Sequence, residues 1–130
     1  MQVCLAAGTR NEVNARFQRA LKRLRLEAYI GRGVRVLHAS DFRAYYDLFN
    51  DALVDIDVLW TKPSELSFYA GLGVALVLSK PVGMHERYNR RWLRQQGVAF
   101  KQESPRHAGH WLDEWLADGT LAGGAWAGYL

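Results

Sequence analysis

A chain of 130 residues, 49% of them hydrophobic in type, has room for one domain with its own core and is too apolar to stay disordered. Its single cysteine, Cys4, excludes an internal disulfide, and no apolar run approaches the ~20 residues that cross a bilayer. A formal net charge of +4 suits an anionic partner (a phosphate, a nucleic acid or an acidic membrane surface) without choosing among them.

The opening residues, QVCLAA, lack the basic segment and the length of a secretory leader, so a cytoplasmic location is expected. VCLAA reads as a strand that ends at Gly8, with Cys4 as a buried structural thiol. Val13, Phe17, Leu21 and Leu24 then fall at helical spacing, with Arg16, Arg19, Lys22 and Arg23 between them. AYIGRGVRVLHA is a second strand region, broken around Gly31 to Gly33. Ser40 or Asp41 can cap the next helix, whose apolar stripe is Phe42, Tyr45, Tyr46, Phe49, Ala52 and Leu53.

DIDVLW is a third strand, Ser64 opens a short helix through SELSFYAG, and ALVLS is a fourth strand. A helix starting near His85 carries Tyr88, Trp92 and Leu93, and GVAF is a short fifth strand. Ser104 and Pro105 form a cap and first turn. The helix after them places Ala108, Trp111, Leu112, Trp115 and Leu116 on one face and stops at Asp118-Gly119. The glycine-rich tail LAGGAWAGYL reads neither way.

Strand and helix in repeated alternation predict an α/β chain. The expected architecture is a single Rossmann-like domain over residues 1–130, a three-layer α/β/α arrangement around a parallel sheet of about five strands. Ligands of such sheets sit beyond the carboxyl ends of the strands, so the turns there are where chemistry is sought. In AAGTRNE, Gly8 allows close approach of backbone, Thr9 offers a hydroxyl, and the helix start suits an anion. A strand-to-helix turn also needs a glycine and a cap for structure alone.

In WTKPSEL, Pro63 holds Lys62 extended, Ser64 is placed to cap, and Glu65 sits where the helix dipole favours a carboxylate. That suffices as structure, and the same geometry suits a diphosphate beside Lys62 and ribose hydroxyls beside Glu65. In SKPVGMHERYN, Pro81 and Gly83 make a loop. Glu86 and Asn89 share a helix face from which they could hold sugar hydroxyls. Arg87, Arg90, Arg91 and Arg94 make that helix basic, and a solvated face is the simplest account of them.

There is no GxGxxG, no P-loop motif and no GxSxG turn. His107 and His110 lie three apart without a cysteine or clear carboxylate partner, so neither a metal nor another cofactor is expected.

The run TKPSELSFYAGLGVALVLSKPVGMHERYNRRWLRQQGVAF resembles the carboxyl-terminal half of GT-B glycosyltransferases, the group of the peptidoglycan N-acetylglucosaminyltransferase and the plant galactolipid synthases. Thr61, Lys62, Pro63 and Ser64 match its first turn. Gly73, Val74 and Ala75 stand at its Gly-Leu-Pro turn, Pro81, Glu86 and Asn89 match its loop and helix, and Gly97 matches its end. Ser64 replaces a usual glycine, Ala75 a usual proline, and the glutamate that the family carries near Phe68 to Ala70 has no counterpart.

The resemblance implies a domain that binds a nucleotide-sugar donor such as a UDP-sugar. Ser64 and its helix would face the diphosphate or ribose, and Glu86 and Asn89 the sugar. Gly8 and Thr9 would lie in the first phosphate-facing turn, and Lys62 would supply charge. GT-B enzymes react substrates between two such domains. The expectation is therefore a donor-binding domain with no catalytic residue of its own, completed by an N-terminal acceptor-binding half or a partner chain.

The alternative is a non-catalytic nucleotide- or partner-binding α/β module. Nucleic acid is not expected as a partner, because the basic residues spread over several helices. The tail with Trp126 and Tyr129 has three destinations: its own domain, the missing one, or a second copy in a homo-oligomer.

Overall fold

A computed structural model describes residues 1–63 and 66–130. The chain falls into two compact units, Met1–Asp55 and Ile56–Leu130. The expected cap at Ser64 lies outside the described residues.

The first unit is a strand–helix–strand–helix module. Strand β1 (Val3–Gly8) leads into helix α1 (Asn11–Arg23), and a 3-10 turn at Glu27–Tyr29 precedes strand β2 (Val34–His38) and helix α2 (Phe42–Leu53). The strands pair in parallel from Val3↔Val34 to Ala6↔Leu37, and the register then slips so that Gly8 faces His38. Both helices pack on both strands. Ala7, Leu21, Leu37 and Ala52 form the buried centre.

Of the two candidate caps, Asp41 takes the role: its Oδ1 accepts the Ala44 N–H at 2.9 Å. The stripe on α2 is wider than its buried face, since Phe42 and Tyr46 are exposed and only Ala52 is fully covered. Cys4 is half-buried rather than buried.

The second unit centres on a three-stranded parallel sheet in the order β3 (Val58–Thr61), β4 (Ala75–Leu78), β5 (Ala99–Lys101). Helix α3 (Leu66–Gly71) joins β3 to β4, and helix α4 (Met84–Gln95) joins β4 to β5. A 3-10 turn, Pro105–His107, then leads to helix α5 (Ala108–Ala117) and helix α6 (Thr120–Tyr129).

All four residues of β4 are buried, which a central strand covered on both faces requires. Side chains alternate across it. Leu76 and Leu78 join Ala70, Leu93, Val98 and Ala99 on one face; Ala75 and Val77 join Trp111 and Leu121 on the other. Each large apolar side chain so covered contributes about 1.5–3 kcal/mol of transfer free energy.

The glycine-rich tail is helical because its small residues let it sit close. A Cβ at Gly124 would overlap the Phe100 ring, and one at Gly128 would meet the Ala70 carbonyl oxygen. Gly119, at φ 82°, supplies the left-handed residue that separates α5 from α6.

Two expectations change in detail. Each pairing is parallel, as alternation implies, but the strands form a two-stranded and a three-stranded sheet. Ser104 does not start an α-helix. Its carbonyl accepts from His107 N at 3.0 Å and from Trp111 Nε1 at 3.0 Å, which closes a 3-10 turn before α5 begins.

Candidate functional site

The carboxyl edge of the β3-β4-β5 sheet is tied together just beyond the strands. Ser79 N donates to the Thr61 carbonyl at 2.9 Å, the Ser79 hydroxyl donates to the same oxygen at 3.2 Å, and Gln102 N donates to the Leu78 carbonyl at 3.0 Å. These bonds fix where Lys80, Lys101 and Gln102 emerge.

A hollow of about 530 Å³ opens there, lined by Lys80, Pro81, Arg87, Arg90, Lys101 and Gln102. Lys80 follows β4, and Lys101 is the last residue of β5. Arg87 and Arg90 stand three apart on α4 and so share a face. Four cations therefore converge on one concavity, and among the described residues no carboxylate lines it. Such a lining attracts a multiply charged anion and repels a cation. Each arginine presents a planar fork of donors that matches phosphate oxygens.

Trp60 bonds the lining residue Gln102. Its indole N–H donates to Gln102 Oε1 at 2.8 Å, and its ring meets Trp111 edge-on, with 5.2 Å between centroids.

The residues singled out from sequence have varied positions. Glu86 Oε2 accepts the Val82 N–H at 2.7 Å, reaching back over the first turn of α4 to the residue before its Gly83 N-cap. Gly83 is the N-cap residue of the same helix and has no side chain to offer. Asn89 Nδ2 donates to the Pro63 carbonyl at 3.2 Å and pins the turn after β3 against α4. Lys62 is exposed beside that turn. Ser64 and Glu65 lie outside the described residues. Gly8, at φ 65°, and Thr9 border a separate hollow of about 330 Å³ on the first unit, with Arg10, Phe42 and Tyr45.

The cationic hollow was only partly legible beforehand. Arg87 and Arg90 carry the signal as a basic pair at i, i+3, Lys80 as a lysine two residues past β4, and Lys101 as the last residue of β5. Their convergence depends on the β4–β5 register, in which Leu78 faces Lys101.

Among the described residues, no group of three histidine, cysteine, aspartate or glutamate side chains is placed to hold a metal ion. Among them, too, no helix is long and apolar enough to cross a membrane. Set against protein-family models, curated proteins and solved structures, the chain matches none.

Proposed function

We propose that the chain is a nucleotide-sugar donor-binding module of the GT-B glycosyltransferase kind, and that the diphosphate of a UDP-sugar-like donor lies in the hollow of residues 56–130. The observation that carries this reading is the convergence of Lys80, Arg87, Arg90 and Lys101 at the carboxyl ends of β4 and β5. Parallel α/β sheets hold ligands at this edge, and the volume falls within the ~300–1,000 Å³ of small-molecule sites. The turns that carry the resemblance, Thr61 to Pro63 and Pro81 to Gly83, leave the same edge.

In this reading Lys62, exposed just after β3, adds positive charge to the same strand edge. The finer fold that goes with it is a Rossmann-like layer of about five parallel strands. The chemistry is stabilisation of a leaving diphosphate by fixed cations. A base for the acceptor would come from a second, acceptor-binding body, so the module alone transfers no sugar.

A second reading, a non-catalytic nucleotide- or partner-binding module, draws on Glu86 and Asn89, which already serve as cap and tie. Isothermal titration with UDP and with UDP-sugars separates the two. A UDP-sugar that binds more tightly than UDP supports the donor reading. Equal affinities support a plain nucleotide module. Absence of heat at millimolar concentrations of either rejects both nucleotide readings.

A further inference from the structure

We propose that the outer face of α4 docks on an anionic bilayer surface, with Met84, Tyr88 and Trp92 entering the headgroup region and Arg91 and Arg94 meeting lipid phosphates. This surface is separate from the donor-binding reading and stands without it.

Helix α4 carries two apolar faces. The inner one is Leu93, which is buried with Leu76 and Leu78 in the core. The other is a stripe. Met84, Tyr88 and Trp92 recur every four residues, so they lie one above another along the helix. At 3.6 residues per turn the centre of that stripe points roughly 140° away from Leu93. The three side chains are 59%, 64% and 53% exposed, and Val82, just before the helix, is exposed as well. A helix on the surface of a globular unit ordinarily turns polar residues outward. Packing of this unit therefore accounts for Leu93 and leaves the stripe uncovered.

The charges beside the stripe indicate what covers it. Arg91 stands three residues after Tyr88, and Arg94 three after Arg91, so the two border the stripe, and both are exposed. The one carboxylate of α4, Glu86, is bonded to the Val82 N–H. A second copy meeting this face would set arginines against arginines. Nucleic acid is held by ring faces and hydrogen-bond donors, and the side chains of Val82 and Met84 supply neither. An anionic bilayer suits every part. Tryptophan and tyrosine favour the membrane–water interface, the aliphatic groups leave water there, and arginine stems reach along apolar surface to the phosphates. With 12 residues, α4 is about 18 Å long, too short to cross, and so lies in the plane of the surface.

The test is sedimentation of the full chain at low salt with vesicles of phosphatidylcholine, alone or with about one-third phosphatidylglycerol. The mixed vesicles are expected to carry the chain down, and the uncharged ones to bind at least ~10-fold more weakly. Tyr88→Ser/Trp92→Ser is expected to weaken binding at least ~10-fold through lost apolar burial. Arg91→Gln/Arg94→Gln is expected to do so by about 10-fold or more through lost charge. Trp126→Ser/Tyr129→Ser removes equally exposed rings from α6, which has no charged residue, and is expected to leave binding unchanged. Should the aromatic variant of α4 fail to fold, the arginine variant decides, because both its positions are exposed. UDP affinity is expected to be the same throughout, since none of these positions lines the hollow.

No sedimentation with the mixed vesicles, equal binding to both kinds, or an equal loss in the α6 variant overturns the proposal. A parent chain that ignores vesicles but holds a labelled single-stranded oligonucleotide through Arg91 and Arg94 overturns it in favour of nucleic acid. A dimer that dissociates in the α4 variants, without vesicle binding, overturns it in favour of a second copy.

Discussion

Arg90 and Glu86 sit one turn apart on α4 and have opposite fates. Arg90 faces the hollow, while Glu86 is spent on the Val82 N–H of its own loop. Substituting Arg90 by alanine removes a charge-assisted donor and is expected to weaken UDP binding by about 10- to 100-fold, measured by titration calorimetry. The same change relieves repulsion among the four cations, so the melting temperature is expected to hold or rise. Glu86→Ala should do the reverse: a loss of about 0.5–2 kcal/mol in urea unfolding, typical of a lost cap, with UDP affinity unchanged. Weakened ligand binding in Glu86→Ala at unchanged stability would return Glu86 to a ligand-contacting role. Sequence spacing showed that Glu86 and Asn89 share a face, but not what they bond. Asn89 donates to the carbonyl of Pro63, 26 residues away, and only the fold brings the two together.

At the scale of the element, α6 sets propensity against packing. Replacing a helical glycine by alanine normally gains about 0.5–1 kcal/mol. At Gly124 the added methyl would overlap the Phe100 ring, a clash of the overpacking kind that costs about 1–3 kcal/mol. Gly124→Ala is therefore expected to lower stability in urea unfolding, and a gain would show that α6 is not seated on Phe100. The tail was ambiguous in sequence for this reason: glycine argues against a helix in isolation, and only the close contacts reverse that.

The start of α6 also titrates. The Thr120 backbone N–H donates to Asp118 Oδ1 at 2.8 Å, and with the Thr120 side chain this holds the exposed Asp118 carboxyl below its usual range. A carboxyl whose folded pKa is depressed stabilises above its unfolded value, about 3.9, and that contribution is lost as pH falls through the folded one. Asp118→Asn accepts the same N–H without titrating. The difference in melting temperature between the two proteins is expected to narrow as pH drops below about 4, and a constant difference would remove Asp118 from the acid response.

At the scale of the whole molecule, the α/β class was legible because β4 has no polar face and helices alternate with strands. Pairing was not legible, because parallel register has no local sequence marker, and so neither the division into two parallel sheets nor the meeting of Lys80 with Lys101 was foreseen. Charge is also unevenly spread over residues 56–130. Arg87, Arg90, Arg91 and Arg94 share α4, whereas Asp113 and Glu114 lie on α5. An anion is drawn to one side of this unit, so its affinity is expected to fall as salt shortens the Debye length to ~8 Å near physiological ionic strength.

The central claim is that Lys80, Arg87, Arg90 and Lys101 together hold a diphosphate. It is tested most directly by calorimetric titration of UDP into the full chain and into the Arg90→Ala/Lys101→Ala double variant at low salt. Saturable binding to the parent chain that is abolished in a still-folded double variant is the expected result. Equal binding to both proteins, or none to the parent chain, would contradict it.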